Sequence, residues 1–392
     1  MKQISKCKIF TGACLCLAGP VIFSGCGDAA SAAAKAETAL RDGKYAAAAK
    51  AMESAAKKTD PTSELYYNIG AAKARAGDFS GAAQAFENAE KLDLSNIEAL
   101  EERAKAMMAQ KQYAPAHELL DRVIADTVAP EAQARVLNAL AVCEHGLARD
   151  ELAVLRLNKA ARIAPGYAPT FYNLAKILGD TFQIYDSAES LLVKFEAFAA
   201  PDNAYQEKAR LYKLQIEPAK KNQLIVRPSA TNAKARKLID QGNDFLKKSK
   251  VTAAEECFLK AVEADPKSYE AMYNLATARY TAKNFDAAVE AYQSAAALNT
   301  TAVDPIYMQG VIAYSTGNAA KAVQLLAGAA IPKWPDDPKS YEVAAYAWFN
   351  QGRNYEVHVY GEEFIAVSKA AGKNTSAFET WLNQIQQLPF QP

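Results

Sequence analysis

The feature that most constrains this chain is a long-range match to itself. Tyr66-Tyr67-Asn68-Ile69-Gly70, then Gly77-Asp78-Phe79, then Ala82, Phe86 and Ala89, returns with identical spacing as Met272-Tyr273-Asn274-Leu275-Ala276, Lys283-Asn284-Phe285, Ala288, Tyr292 and Ala295. A unit this short cannot bury an apolar face alone, so such units must stack and share a continuous core. The register extends along most of the 392 residues. Gly43, Tyr45, Ala48, Met52 and Ala55 mark a unit ahead of the first match, and Leu100, Ala104, Tyr113, Ala116 and Leu120 mark one after it, with Lys111 at the turn glycine's place. Leu137, Leu140, Ala141, Ala153, Leu157, Ala160 and Pro165 mark a fourth; Phe171, Leu174, Ala175, Tyr185, Ala188 and Leu192 mark a fifth, with an extra residue in its turn. Beyond an interruption, Leu238, Gly242, Phe245, Ala254, Phe258, Ala261 and Pro266 precede the second copy of the match. Ile306, Gly310, Gly317, Ala322, Leu326 and Ala329 follow it, and Tyr341, Ala345, Trp348 and Gly352 give a degenerate ninth unit.

Each unit reads as two antiparallel helices. The small residue at the eighth position and the alanine at the twentieth sit where the two backbones come closest, which explains why alanine makes up about a fifth of the chain. Gly43, Gly77 and Gly317 permit the positive φ that ends a first helix. Pro165 and Pro266 stop a second helix before the next unit begins.

Large apolar, Leu-Gly, Gly-x-Tyr, Ala, aromatic, Ala and Pro over about 34 residues resembles the tetratricopeptide repeat. The resemblance implies an all-α fold: a superhelical solenoid of antiparallel helix pairs, here two stacked arrays with a C-terminal capping helix. The expected organisation is a signal segment over 1–25, a first array of about five repeats plus a cap over 26–216, a linker over 217–232, and a second array of about four repeats plus the capping helix over 233–392. Pro218 and Pro228 flank the interruption; Leu224-Ile225-Val226 within it reads either as an extended piece tucked against a helix or as a hinge. Phe378, Trp381, Leu382 and Ile385 share one face of a helix expected over 376–388.

The first 25 residues have the layout of an export signal: Lys2, Lys6 and Lys8, then an apolar run of about 15 residues, shorter than a membrane span needs. The exit Phe23-Ser24-Gly25-Cys26 resembles a bacterial lipobox, with Phe23 where leucine is usual. That resemblance implies a lipoprotein carrying its acyl chains on Cys26, enough for stable anchoring, and facing the periplasm. Gly27 follows the cysteine and Asp28 comes one place later than an inner-membrane retention signal would have it, which favours the outer membrane. Cleavage before Cys26 removes three lysines and no acid, taking the formal charge from +1 to −2. A charge so close to zero excludes an electrostatic grip on nucleic acid. Cys143 and Cys257, the cysteines left in the body, read as buried thiols rather than a disulfide.

No catalytic or cofactor pattern is present. His117, His145 and His358 fall in different units without a ligand pattern; there is no phosphate loop, no Gly-x-Ser-x-Gly and no HExxH. The pairs Glu101-Glu102, Glu255-Glu256 and Glu362-Glu363 point in divergent directions on a helix and read as solvated faces. No enzyme activity, metal or cofactor is expected.

What remains is surface recognition. The family resemblance places the first helices on a concave face, where Tyr67, Asn68, Asn138, Tyr172, Asn173, Tyr273, Asn274 and Tyr307 are the candidate partner-binding residues. Tyrosine recurs at the fifth position, offering large area with a polar tip, although Tyr-Asn there also suits the scaffold. The ninth positions, Ala71, Lys105, Val142, Lys176, Asn243, Thr277 and Val311, do not form the carboxylate clamp of some family members. The expected role is a lipid-anchored scaffold for protein partners in an envelope assembly or secretion complex; the alternative is a lipoprotein that captures a glycan or small solute on exposed aromatic rings.

Overall fold

A computed structural model describes residues 28–386 apart from Ser95, Asp202, Ala204 and Leu224; the expected signal segment and Cys26 lie outside the described residues. Among the described residues all regular structure is helical. Helices pair in the register read above: Asp28–Arg41 with Tyr45–Ala56, Ser63–Arg75 with Phe79–Leu92, Ile97–Ala109 with Tyr113–Asp126, Pro130–Gly146 with Asp150–Ile163, and Ala168–Asp180 with Tyr185–Phe198. Helix Gln206–Asn222 follows. Then come Ala233–Lys247 with Val251–Ala264, Tyr269–Thr281 with Phe285–Leu298, Asp304–Ser315 with a rod that starts at Ala319–Leu325, and Pro338–Phe349 with Asn354–Ala370; Ser376–Gln386 is the last helix. The all-α solenoid expected from the repeat is what the chain forms.

Two compact units divide the fold. One runs to Ile177 and takes in Ala188–Gln215; the other comprises Leu178–Ser187 and the described chain from Ile216 onward. The stretch expected as a linker, 217–232, is helical as far as Asn222, Pro218 included, and non-helical from 225 to 232. Helix Gln206–Asn222 survives Pro218 because the proline forfeits one bond, to the carbonyl four residues back. That carbonyl belongs to Leu214, an exposed position where water can replace the bond.

The packing rule inside each pair is concrete. A Cβ added at Gly70 would lie 2.7 Å from the Phe86 ring, and one at Gly242 would lie 2.5 Å from Phe258. The small eighth residue is thus the seat for the large side chain sixteen places on, and Phe86, Phe258 and Tyr292 are fully buried there. Four first helices begin at side-chain caps: Thr62 accepts from the Leu65 amide, Asn96 from Ala99, Asn232 from Ala235 and Ser268 from Ala271.

The turn between paired helices keeps its left-handed residue even without glycine. Gly43, Gly77, Gly317 and Gly352 have φ between 70° and 83°, and Lys111, Ala148, Gln183, Ser249 and Lys283 take the same conformation at φ 55° to 61°. A side chain there costs on the order of 1 kcal/mol, so the stacking of the two helices, and not the residue, dictates the corner. The extra residue expected in the fifth unit's turn is present: the Ile184 amide reaches back to Leu178 O at 2.9 Å, around Gln183.

In the second unit the register slips once. Gly242, Ala276 and Gly310 recur every 34 residues, but the next eighth position, Ala345, comes 35 after Gly310. The spare residue is taken up by a π-helical turn, Leu326–Ala330, in which the Ile331 amide bonds to Leu326 O before the rod ends as Ile331–Lys333. Ala329, expected in the place that Ala89 and Ala295 hold in their units, is half-exposed, and Ala330 is fully buried in its stead.

The non-helical segment 225–232 is tied along the loops of its own unit. Val226 and Thr300 exchange hydrogen bonds, with Val226 N donating to the Thr300 hydroxyl oxygen at 3.0 Å and Thr300 N to Val226 O at 3.0 Å. Thr231 bonds Ser268 at 2.8 Å, and the Asn232 amide donates to Asp265 at 2.9 Å. Of the run read as packed or as a hinge, Leu224 lies outside the described residues, and Val226 is bonded to a loop rather than tucked against a helix.

Candidate functional site

The candidate residues behave differently in the two units. In the first, the fifth positions of the first helices are closed. Tyr67 is 6% exposed and meets Phe86 edge-on, ring centres 5.5 Å apart; Asn68 beside it is 1% exposed. Tyr172 is enclosed by Phe195 and Tyr205, at 6.1 and 5.1 Å. Asn138 is buried, donating to Ala134 O at 2.8 Å and to Thr170 at 2.7 Å and accepting from Asn173 at 3.0 Å. These side chains join one helix pair to the next.

Glu101 and Glu102, expected on a solvated face, are buried. Arg135 grips Glu101 at 2.7 and 3.1 Å from the next repeat, and Lys105 holds Glu102 at 2.6 Å. Burial raises the Glu102 carboxyl, opposed by the charge of Lys105. Glu363 is buried as well. Adjacent acids do diverge on a helix, yet in a stack of helices both directions can meet a neighbouring repeat.

In the second unit two fifth positions, Tyr273 and Tyr307, stay half-open while Ile239 is buried, and tyrosines at other places on the first helices are half-open too. Tyr269, Tyr273, Tyr280, Tyr307, Tyr314 and Tyr346 are all partly accessible. Tyr269 and Tyr273 stack at 5.8 Å, Tyr314 and Tyr346 at 6.4 Å, and Tyr346 meets Trp381 of the last helix at 4.7 Å. Helices Tyr269–Thr281, Asp304–Ser315 and Pro338–Phe349 therefore each add tyrosines to a row, and the last helix ends it. Carboxylates are set among the rings: Asp304 at the start of its helix and Glu342 one unit on. Burial, with Asp304 second, pushes the Tyr273 hydroxyl up to about 12; burial, followed by Asp337 and Glu342, does the same to Tyr307. Both hydroxyls are neutral donors near neutral pH. Burial raises Glu342 too, with Lys373 opposing. Asn274 is half-buried on the same helix as Tyr273.

Sequence reasoning missed a buried charge network in the first unit. His117 Nδ1 lies 3.1 Å from Asp121 and Nε2 3.3 Å from Glu144, while Arg156 Nε donates to Glu144 at 3.2 Å. Burial alone would lower the imidazole; hydrogen bonds to Asp121 and Glu144, together with their charges, outweigh it and raise it to about 9. The spacing of His117 and Asp121, one helical turn apart, was the available signal. Cys143 is buried and Cys257 half-buried, and both are free thiols. Among the described residues no group of three or more His, Cys, Asp or Glu could hold a metal ion, and no helix is long and apolar enough to cross a membrane.

A family model described as tetratricopeptide repeat matches residues 33–96 and 239–302. Both stretches are tetratricopeptide repeats. The half-open row of tyrosines begins in the second tetratricopeptide stretch and continues past it. No curated protein sequence matches the chain. Similar solved structures include MamA of Desulfovibrio magneticus RS-1, from residue 41 of that protein to its end, 22% identical over 44% of this chain and 96% of that one, with a TM-score of 0.39. Pseudomonas aeruginosa PilF is 15% identical over 62% of this chain and 95% of that one, at 0.37. Cut9–Hcn1 of the APC/C is 15% identical over 88% and 80%, at 0.34. Likenesses this distant carry nothing about what this chain binds.

Proposed function

We propose that the chain is a lipid-anchored tetratricopeptide scaffold of the bacterial cell envelope. Acyl chains on Cys26 would hold it to the membrane, the outer membrane by preference, with the body facing the periplasm and recruiting protein subunits of an envelope assembly or secretion complex. One observation carries the binding role: the half-open row of tyrosines on successive first helices of the second unit, in which Tyr273 and Tyr307 hold a place that the first unit closes with its own side chains. Solute capture is the weaker reading, because a solute site needs polar groups converging on a closed pocket, whereas these rings run from Tyr269 to Trp381 along successive helices.

Affinity purification of the tagged chain from cross-linked envelope extract is expected to return protein partners in stoichiometric amount. Their absence under several cross-linkers refutes the scaffold reading. Mass spectrometry of the mature N-terminus is expected to find a thioether-linked glyceride on Cys26, and an unmodified or internally cleaved terminus refutes the anchor.

A further inference from the structure

The tyrosine row carries an unbalanced charge. On its helices Glu270 is tied to Arg236, and Arg279 lies 3.2 Å from Glu255. No cation lies within ion-pair distance of Asp304 or Glu342 among the described residues, and helix Asp304–Ser315 contains no basic residue. Asp304 is exposed at the start of its helix and Glu342 half-buried, with Lys373 acting on it from beyond ion-pair distance; carboxylates outside any ion pair, beside ring faces that attract cations, favour a positive occupant.

We infer that this face grips an extended segment of a partner protein bearing lysine or arginine, whose charged ends meet Asp304 and Glu342 and whose stems lie on Tyr273, Tyr307, Tyr314 and Tyr346. The inference rests on the scaffold reading and adds the chemistry of what the scaffold holds. The chain already makes this pairing internally, with Lys176 5.0 Å above Tyr212, Lys208 5.1 Å above Tyr205 and Arg353 5.7 Å from Trp348. Geometry also sets a spacing. Neighbouring helices lie roughly 9 Å apart, and an extended chain advances about 3.4 Å per residue, so a segment crossing from the Asp304 helix to the Glu342 helix presents its cations about three residues apart.

The test uses the full chain in non-ionic detergent and short fluorescein-labelled peptides that differ only at every third residue, carrying arginine, glutamine or glutamate there. Fluorescence anisotropy is expected to show the arginine peptide binding best, with an affinity that falls as salt rises. Asp304→Asn with Glu342→Gln is expected to weaken it about tenfold, while Glu118→Gln with Glu131→Gln, exposed acids of the other unit, leaves it unchanged. Circular dichroism checks that both variants fold. Arginine binding no tighter than glutamine, or weakened equally by both variants, overturns the inference. If a partner then co-purifies equally with wild type and with the Asp304→Asn/Glu342→Gln chain, the scaffold reading stands and only the cationic segment falls; an extract that yields no partner sinks the scaffold itself.

Discussion

His117 makes the first unit sensitive to alkali in a way that can be computed beforehand. Unfolded, an imidazole titrates near 6.5; folded, His117 is held at about 9 by Asp121 and Glu144. A raised folded-state pKa means the proton is bound more tightly in the native state. Its contribution is therefore complete below the unfolded pKa and disappears as pH rises through about 9. The interval corresponds to about 3 kcal/mol. His117→Gln keeps a polar group but no charge, leaving Asp121 and Glu144 with Arg156 as the cation nearest both, at 3.6 and 3.2 Å. Urea unfolding followed by far-ultraviolet circular dichroism should show the variant about 3 kcal/mol less stable near pH 6 and close to wild type near pH 10. Lysine and tyrosine titrate equally in both chains and cancel in the difference. A gap that stays constant over that range, or an NMR titration midpoint for His117 below 7, refutes the assignment of the proton.

Three further outcomes follow from the repeat geometry. Gly242→Ala places a methyl 2.5 Å from the Phe258 ring and is expected to cost about 1–3 kcal/mol by overpacking, read as a lowered thermal midpoint; an unchanged midpoint contradicts the seat described for Phe258. Lys283→Gly removes a side chain from an exposed left-handed corner at φ 61° and should raise stability by about 0.5–1 kcal/mol, whereas the same change within a helix would lower it. Burial, with Glu144 and Asp121 behind it, pushes the Cys143 thiol to about 12, so maleimide at neutral pH should label half-buried Cys257 in the native chain and reach Cys143 only after denaturation. Peptide mapping that finds equal labelling counts against the packing around Cys143.

The sequence carried the fold because its rule is local and repeated. A small residue at the eighth position and a large one sixteen places later can be read at Gly70 and Phe86 without coordinates, and so can the corner at Gly77. Corners at Lys111, Ala148 and Ser249 were harder, since their left-handed form is imposed by neighbours. The slip at Ala329 was illegible, because Ala329-Ala330 offers an alanine in either frame and only the helix geometry chooses. The site was legible by position but not by exposure. Tyr67 and Tyr273 hold the same place in the repeat; Phe86 and the next helix pair close over the first, while Tyr269 and Tyr292 leave the second partly open. Exposure is decided by side chains contributed from other repeats, which one unit's pattern does not contain.

The π-turn at Leu326–Ala330 works like a suppressor of a reading-frame error. One extra residue would turn everything after it in a continuous helix by about 100°, and each later side chain would face a different neighbour. Here the shift is confined to five residues: Pro335 takes the place after the second helix that Pro266 holds two repeats earlier, and Ala345 takes that of Gly310. Glu342 and Tyr346 consequently stay in line with Tyr307 and Tyr314. The solenoid can thus gain a residue inside a buried helix and still present a continuous line of side chains, so its helices, as well as its loops, are places where length can change without erasing what the surface reads.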